Sequence, residues 1–154
     1  MSANLLATAI RIASAAHENQ LDKGGSPYIL HPLTVMQNLR TNDHELMAAA
    51  VLHDVVEDSN DWTPEKLREA GMSDRVLAIL DCLTHRDGEG YEDYIKRIST
   101  NRDATRVKLE DLCHNMDPRR LKGIRPKDFE RMTKYTKAFA YLTRTNNLDE
   151  EIYQ

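Results

Sequence analysis

The segment from Leu46 to Asp58 constrains the fold more than any other part of the chain. Its sequence is LMAAAVLHDVVED, and the apolar residues with three consecutive alanines predict a helix packed inside the protein. The same helix ends in His53, Asp54, Glu57 and Asp58. At about 100° per residue, these four side chains fall within an arc of roughly 140°.

Three carboxylates and one imidazole on a single face of a buried helix carry a large desolvation cost unless something compensates for it. A bound cation would neutralise the acids and take the imidazole as a ligand. We therefore interpret this helix as one wall of a metal-dependent active site. A His-Asp pair alone is a weak signal, because on a helix it is usually a surface or capping feature, so the interpretation depends on residues elsewhere in the chain.

The composition is that of an ordinary soluble domain. The chain has 154 residues, of which 40% are hydrophobic and 30% are charged, which excludes a disordered chain. A net charge of -4 gives no reason to expect a nucleic-acid partner or an anionic membrane surface. No apolar run approaches the roughly 20 residues of a membrane span, and the N-terminus lacks the basic start of a secretion signal. We expect a cytoplasmic enzyme, with Cys82 and Cys113 as buried free thiols.

The rest of the chain predicts further helices and no strand. Helical periodicity, capping residues and helix-breaking prolines and glycines set the boundaries. Asn42 or Asp43 can cap the helix that contains the first motif. The sequence therefore predicts an all-α, single-domain protein over residues 1–154, with a polar tail that frays from about residue 145. The predicted helices cover about 4–20, 32–40, 46–58, a short stretch after Thr63, 73–84, 91–98, 102–116 and 126–143.

Two more segments carry candidate ligands. His31 precedes Pro32, which fits the start of a helix, so that the imidazole can face a cavity. Asp111 shares a helical face with Lys108 and Asn115, at spacings of three and four residues. Together with His53 and Asp54, these residues give two imidazoles and two carboxylates. This mixed set of nitrogen and oxygen ligands suits Mn²⁺, Fe²⁺ or Zn²⁺, with open positions for water and phosphate.

The order of these motifs resembles a known family. The pattern His, His-Asp, Asp is similar to the HD-domain superfamily of metal-dependent phosphohydrolases. The segments AHENQ, PYILHPL, AVLHDVVED and VKLEDLCHNM are similar to the hydrolase domain of the Rel/SpoT alarmone enzymes and to small stand-alone alarmone hydrolases. The similarity spans roughly residues 5 to 142, and it implies an HD-type helical bundle.

The resemblance also implies an activity. In the family, the 3′-pyrophosphate is removed from ppGpp or pppGpp, which gives pyrophosphate and GDP or GTP. Glu57 and Asp58 match the acidic pair that orients or deprotonates the attacking water, as general base chemistry requires. A divalent cation lowers the pKa of bound water and polarises a phosphoryl oxygen. The implied Mn²⁺ site, with Fe²⁺ or Zn²⁺ as alternatives, consists of His31, His53, Asp54 and Asp111.

Substrate contacts transfer less completely. The family has an Arg-Lys pair before the first ligand, whereas this chain has Asp22 and Lys23. Replacing a planar cation by an acid weakens the expected hold on a tetraphosphate or pentaphosphate. The resemblance places the remaining substrate contacts at Asn115, Arg131 and Tyr135. Lys108 is a further candidate for a phosphate contact, with a salt bridge to a nearby acid as its alternative role.

Besides the alarmone hydrolase, two further functions stay open on the sequence alone. Asp22 allows a phosphohydrolase for another nucleotide, such as an adenine alarmone or a nucleoside monophosphate. A non-catalytic metal-binding or nucleotide-binding regulatory domain is the third reading, against which the complete ligand set and the Glu57-Asp58 pair argue. The basic run from Arg119 to Lys127 is interpreted as a solvated face, with phosphate steering as its alternative. The sequence leaves open whether the chain forms a homo-oligomer.

Overall fold

The computed structural model describes residues 2–148, with side chains from residue 5 onward. Within this range the chain forms helices and no strand, apart from an isolated bridge between Leu21 and Pro27. The predicted all-α fold class is confirmed. The helices are α1 (Ser2–Ala16), α2 (Leu30–Asn38), α3 (His44–Leu52), α4 (Val55–Asp58), α5 (Pro64–Glu69), α6 (Asp74–Leu83), α7 (Tyr91–Ser99), α8 (Arg102–Asn115) and α9 (Pro126–Thr145), with a 3₁₀ turn at Pro118–Arg120.

Helix α3 lies at the centre of the molecule, as its sequence predicts. The side chain of Asp43 caps it by accepting hydrogen bonds of 3.2 Å from the backbone N–H groups of Glu45 and Leu46. Leu46 and every residue from Ala48 to Leu52 are fully buried. Helices α1, α2, α6 and α8 pack around α3, so this helix fixes the relative positions of the segments that carry the predicted ligands.

The prediction of one continuous helix over residues 46–58 is wrong, because the chain breaks at His53 and Asp54. Asp54 has φ −103° and ψ −4°, in the bridge region that active-site residues often occupy. The His53 ring explains the break in part: its Nδ1 atom lies 2.7 Å from the carbonyl oxygen of Ala50 and satisfies it. The 140° arc expected for an unbroken helix therefore does not describe the site.

Several smaller expectations also differ from the structure. Helix α1 ends at Ala16 rather than at residue 20, because the chain turns there and the Gln20 N–H bonds to the His17 carbonyl at 3.1 Å. Cys82 and Cys113 are free, as predicted, but Cys82 is only half-buried and Cys113 is exposed. Of the tail predicted to fray, residues 149–154 lie outside the described range. None of the described helices is long and apolar enough to cross a membrane.

Candidate metal and substrate site

The structure brings the four predicted metal ligands together from three parts of the chain. His31 comes from the first turn of α2, His53 and Asp54 from the break after α3, and Asp111 from α8. One ligand atom each from His31, His53 and Asp54 lies within 4.8 Å of the others. Asp111 Oδ1 lies 3.0 Å from His31 Nε2 and 3.5 Å from His53 Nε2. Asp54 is the most accessible of the four, with a side chain that is 21% exposed.

The His53 ring has the orientation of a metal ligand. Its Nδ1–H donates to the Ala50 carbonyl at 2.7 Å, so Nε2 faces the carboxylates of the cluster. That Nε2 atom is buried, makes no hydrogen bond within the described residues, and lies 3.0 Å from Asp54 Oδ2. A ring nitrogen that faces carboxylate oxygens needs a positive charge between them, which is either a proton on Nε2 or a cation in its place. A divalent cation with nitrogen and oxygen preferences fits this arrangement.

A second histidine, His114, orients His31. The His31 ring lies nearly parallel to the His114 ring, with the ring centroids 5.0 Å apart and the two Nδ1 atoms 2.7 Å apart. The two rings therefore meet edge to edge, and one proton must lie between the two nitrogens. Burial and the neighbouring charge of Arg120 lower the pKa of His114 to about 4, so at neutral pH its Nδ1 can accept a proton. With His31 Nδ1–H as the donor, the Nε2 lone pair of His31 points at the ligand cluster.

Asp111 is held by two neighbours on its own helix. Lys108 Nζ donates to Asp111 Oδ2, and Asn115 Nδ2 donates to Asp111 Oδ1, both at 2.8 Å. Burial by itself would raise the pKa of Asp111, but the Lys108 ammonium and the His31 and His53 rings hold it well below its usual range. The predicted shared face of these three α8 residues is present, and Lys108 forms the salt bridge that was the alternative to phosphate contact.

Asp54 has a partner that sequence reasoning missed. The Tyr28 hydroxyl donates to Asp54 Oδ2 at 2.5 Å. Burial would raise the pKa of Asp54, but the positive charge of His53 lowers it to about 2. The carboxylates of Asp54 and Asp111 raise the pKa of His53 well above its usual value in spite of its burial. Tyr28 stands three residues before His31, and this spacing in the PYILHPL motif is the signal that could have identified it.

The acidic pair on α4 lies beside the cluster. Glu57 accepts a hydrogen bond of 2.5 Å from the His85 backbone N–H, and partial desolvation raises the pKa of its carboxyl above the usual value. A raised pKa suits a proton acceptor that works near neutrality. Asp58 accepts a hydrogen bond of 2.9 Å from Gln20 Nε2, and Gln20 Oε1 in turn lies 2.8 Å from His17 Nδ1.

A cavity of about 240 Å³ contains most of the predicted substrate contacts. Arg131 in this cavity lies 3.1 Å from the buried Asp128 carboxylate, and burial together with the charge of Arg131 lowers the pKa of Lys23. A larger cavity of about 680 Å³ between α7 and α9 is lined by none of the predicted substrate contacts. The smaller cavity is therefore the candidate nucleotide site. The smaller cavity is lined by Lys23, Asn115, Arg131 and Tyr135, with Tyr28, Asp22, Arg120, Asp117, Leu21 and Leu121.

The sequence analysis did not identify Gln20 and Arg120 as site residues, and both reach the site through tertiary contacts. Gln20 meets Asp58 from the end of the α1 segment, and Arg120 lines the cavity although its basic run was interpreted as a solvated face. Gln20 ends the AHENQ segment, so the resemblance was the signal that could have identified it, whereas Arg120 has no spacing relation to the ligands that a sequence could reveal. Lys108 is the one predicted substrate contact that the cavity lining does not include.

Comparison with known proteins agrees with these features. A family model described as HD domain matches residues 9–110. A guanosine-3′,5′-bis(diphosphate) 3′-pyrophosphohydrolase of Haemophilus influenzae is 36% identical over 137 residues, which cover 81% of this chain and 20% of that protein. The bifunctional (p)ppGpp synthase/hydrolase SpoT of Escherichia coli strain K12 is 34% identical over 146 residues, covering 85% of this chain and 20% of that protein. The chain thus spans about a fifth of the length of the curated relatives it matches.

A solved structure shows the same fold. It is described as a metazoan ortholog of SpoT that hydrolyzes ppGpp and plays a role in starvation responses. The TM-score is 0.75 at 19% sequence identity, and the match covers 97% of this chain and 93% of that one. The HD-type helical bundle implied by the motifs is therefore confirmed.

Proposed function

The chain belongs to the HD-domain family, and on that basis we propose that it is a metal-dependent 3′-pyrophosphohydrolase of ppGpp and pppGpp. The products are pyrophosphate and GDP or GTP. The observation that carries the proposal is the convergence of His31, His53, Asp54 and Asp111, with donor atoms separated by 3.0 to 3.7 Å. The names of relatives at 34–36% identity support the choice of substrate.

We propose Mn²⁺ as the metal, with Fe²⁺ or Zn²⁺ as alternatives. When bound, the ion supplies Lewis-acid activation of a water molecule and of a phosphoryl oxygen. His31, His53, Asp54 and Asp111 would hold the ion, and the exposed side of Asp54 would let water and a phosphate group reach it. The hydrogen bonds from Lys108 and Asn115 keep Asp111 ionised and in place for this role.

In this proposal Glu57 and Asp58 activate and orient the attacking water. Glu57 accepts the proton of the attacking water, since its raised pKa makes it a stronger base than an ordinary carboxylate. Asp58, held by Gln20, orients that water. The water oxygen bonds to the phosphorus next to the ribose, the bond from that phosphorus to the 3′ oxygen breaks, and the 3′ oxygen takes up a proton.

Lys23, Asn115, Arg131 and Tyr135 bind the nucleotide in the adjoining cavity. An ammonium and a guanidinium suit phosphate oxygens, and the tyrosine ring offers a flat apolar surface to a base. We further propose that residues 1–154 form one HD domain, and that the protein acts in the cytoplasm, where its nucleotide substrate would be available.

A direct test uses purified protein with Mn²⁺ and ppGpp. We expect pyrophosphate and GDP in equal amounts, and loss of activity in His53→Ala and Asp54→Ala. His44→Gln, a histidine at the start of α3 and outside the site, serves as the control and should keep its activity. An inactive wild type that binds Mn²⁺ and nucleotide would instead support the regulatory reading.

A second candidate substrate is favoured by one observation, the acid at position 22 within the cavity lining. If the wild type releases pyrophosphate or phosphate faster from adenine alarmones or nucleoside monophosphates than from ppGpp, the fold and metal chemistry stand. The guanine assignment would then be wrong. A nucleotide panel assayed for both products separates these outcomes.

A further inference from the structure

Asp22 does not simply remove a positive charge from the nucleotide cavity, because Arg120 is paired with it. Arg120 Nη2 lies 3.5 Å from Asp22 Oδ2, and both residues line the cavity. Their side chains are only 20% and 13% exposed. A guanidinium is therefore present on this wall, and it comes from the segment after α8 rather than from the loop before α2.

The loop that carries Asp22 is fixed in place. Asp22 Oδ1 accepts hydrogen bonds of 2.9 Å from the backbone N–H groups of Gly24 and Ser26. At Gly24 a β-carbon would lie 2.2 Å from the Arg120 carbonyl oxygen, so the loop and the Arg120 backbone touch at a point that only glycine fits. Asp22 Oδ2 remains directed at the Arg120 side chain.

Arg120 is held from its other side by residues next to the metal cluster. Its Nη1 donates to the His114 carbonyl at 3.1 Å and to Asn115 Oδ1 at 3.0 Å. Asn115 then donates to Asp111 Oδ1 at 2.8 Å. A continuous chain of polar contacts thus runs from Asp22 through the guanidinium to a predicted metal ligand. Within the described residues, the Arg120 Nε–H takes part in no hydrogen bond.

We propose that Arg120 is a further phosphate-binding residue of this cavity, that it binds a phosphate group of a nucleoside diphosphate, and that Asp22 is its positioning residue. The proposal rests on the proposed function for the identity of the site and adds a residue to it. A guanidinium has five donors in a planar fork, so it can keep its contacts to Asn115 and His114 and still bind phosphate oxygens. The alternative is an ion pair that only joins the two segments.

The test measures binding of GDP to the Mn²⁺-loaded protein by calorimetry, in wild type and in Arg120→Gln. We expect the dissociation constant to rise about 10- to 100-fold, as for loss of charge-assisted hydrogen bonds. The control is Arg68→Gln, an exposed arginine on α5 that is paired with Asp74 and does not line the cavity, and it should bind GDP like wild type. Equal affinities in Arg120→Gln and Arg68→Gln would overturn the proposal.

Arg120→Lys provides a second variant if Arg120→Gln fails to fold. It keeps the charge but cannot bond Asp22, His114 and Asn115 together, so we expect an intermediate loss of affinity of about threefold or more. Wild-type affinity in Arg120→Lys, together with a lowered melting temperature, would identify the pair as structural only.

The role of Asp22 is tested by a double-mutant cycle. Asp22→Asn keeps an oxygen that accepts from the loop N–H groups and removes the charge that holds Arg120. We expect GDP binding to weaken about threefold in the wild-type background and to stay unchanged in Arg120→Gln, because Asp22 acts through Arg120. The same change in both backgrounds would show that Asp22 acts on the nucleotide directly, contrary to the proposal.

Failure of this proposal is distinguishable from failure of the proposed function. If wild type and Arg120→Gln hydrolyse ppGpp with the same KM, the function stands and the role of Arg120 is wrong. If wild type does not hydrolyse ppGpp but binds GDP in an Arg120-dependent way, the role of Arg120 stands and the proposed activity is wrong.

Discussion

At the scale of single residues, the geometry of the site depends on which ring nitrogen of each histidine is hydrogen-bonded to a group outside the ligand cluster. His53 Nδ1 is hydrogen-bonded to the Ala50 carbonyl, and His31 Nδ1 is hydrogen-bonded to His114 Nδ1, at 2.7 Å in both cases. These contacts leave the two Nε2 atoms for a cation. Partners of this kind raise ligand basicity and fix ring orientation, so their removal weakens metal binding without removing a ligand.

His114→Phe isolates this effect. Phenylalanine keeps an aromatic ring at this position and removes the nitrogen that accepts the His31 proton. We expect the affinity for Mn²⁺ to fall about 10- to 100-fold while the fold is retained. Calorimetric titration with Mn²⁺ measures this, with His44→Gln as the control. An unchanged affinity in His114→Phe would show that the contact to His31 has no orienting role.

At the scale of elements, one arginine joins the helices that frame the cluster. Arg75 on α6 lies 2.7 Å from Asp43 at the start of α3 and 3.0 Å from Asp103 in the first turn of α8. Its hydrogen bond to Asp43 holds the pKa of that carboxyl below its usual value. Asp43 is thus both the cap of the central helix and a link between α3 and α6.

Asp43→Ala removes both contacts. We expect the free energy of unfolding to fall by about 1–2 kcal/mol, the usual cost of losing an N-cap. Urea denaturation at neutral pH measures it, with Asp87→Ala in the exposed loop after α6 as the control. A loss no greater than that of the control would mean that α3 is held by burial alone.

The loop that positions Glu57 is held by a second ion pair. Arg97 on α7 donates to the carbonyls of Asp81, Cys82 and Thr84 at the end of α6, and lies 2.7 Å from Glu89. This pair closes the loop whose His85 N–H bonds to Glu57. The hydrogen bond from Arg97 lowers the pKa of Glu89 to about 2, from an ordinary value of 4.5.

This shift sets a pH window for stability. A depressed folded-state pKa contributes stability that is complete above pH 4.5 and is lost as the pH falls toward 2. We expect Glu89→Gln to melt below wild type at pH 7, with a difference that shrinks between pH 4.5 and pH 3. Thermal unfolding followed by circular dichroism at several pH values measures this. A difference that is independent of pH would mean that the Glu89 charge is not the source of the stabilisation.

At the scale of the whole molecule, the cluster gathers acids from separate segments around buried imidazoles. Asp54 and Asp111 both face His53 Nε2, at 3.0 and 3.5 Å. A cation at this point binds the folded state only, since the unfolded chain does not bring these residues together. Metal binding must therefore add to the stability of the entire fold.

We expect Mn²⁺ to raise the melting temperature of the wild type. At a free concentration about 100 times Kd, the rise should be about 5–10 °C. His31→Ala and Asp111→Ala should show almost no rise, whereas His44→Gln should respond like wild type. Differential scanning calorimetry with and without Mn²⁺ measures the shift, and an equal rise in His31→Ala would place the ion elsewhere.

The sequence predicted the features that depend on local pattern and on ordered motifs. Burial of Leu46 and its neighbours and the shared face of Lys108, Asp111 and Asn115 follow from helical spacing, and the Asp43 cap follows from the preference of aspartate for the N-cap position. The break at His53 did not, because it depends on a side chain that satisfies a backbone carbonyl within an otherwise good helix sequence. The partner of Asp22 was also missed, because Arg120 meets it only after α8 has packed on α2.

The central claim is that four side chains from three segments bind one cation. Anomalous diffraction from crystals of the protein grown with Mn²⁺, measured on both sides of the manganese edge, tests it most directly. We expect one strong anomalous peak within coordination distance of His31, His53, Asp54 and Asp111. A peak that contacts none of His31, His53 and Asp111, or no peak at saturating Mn²⁺, would contradict the account.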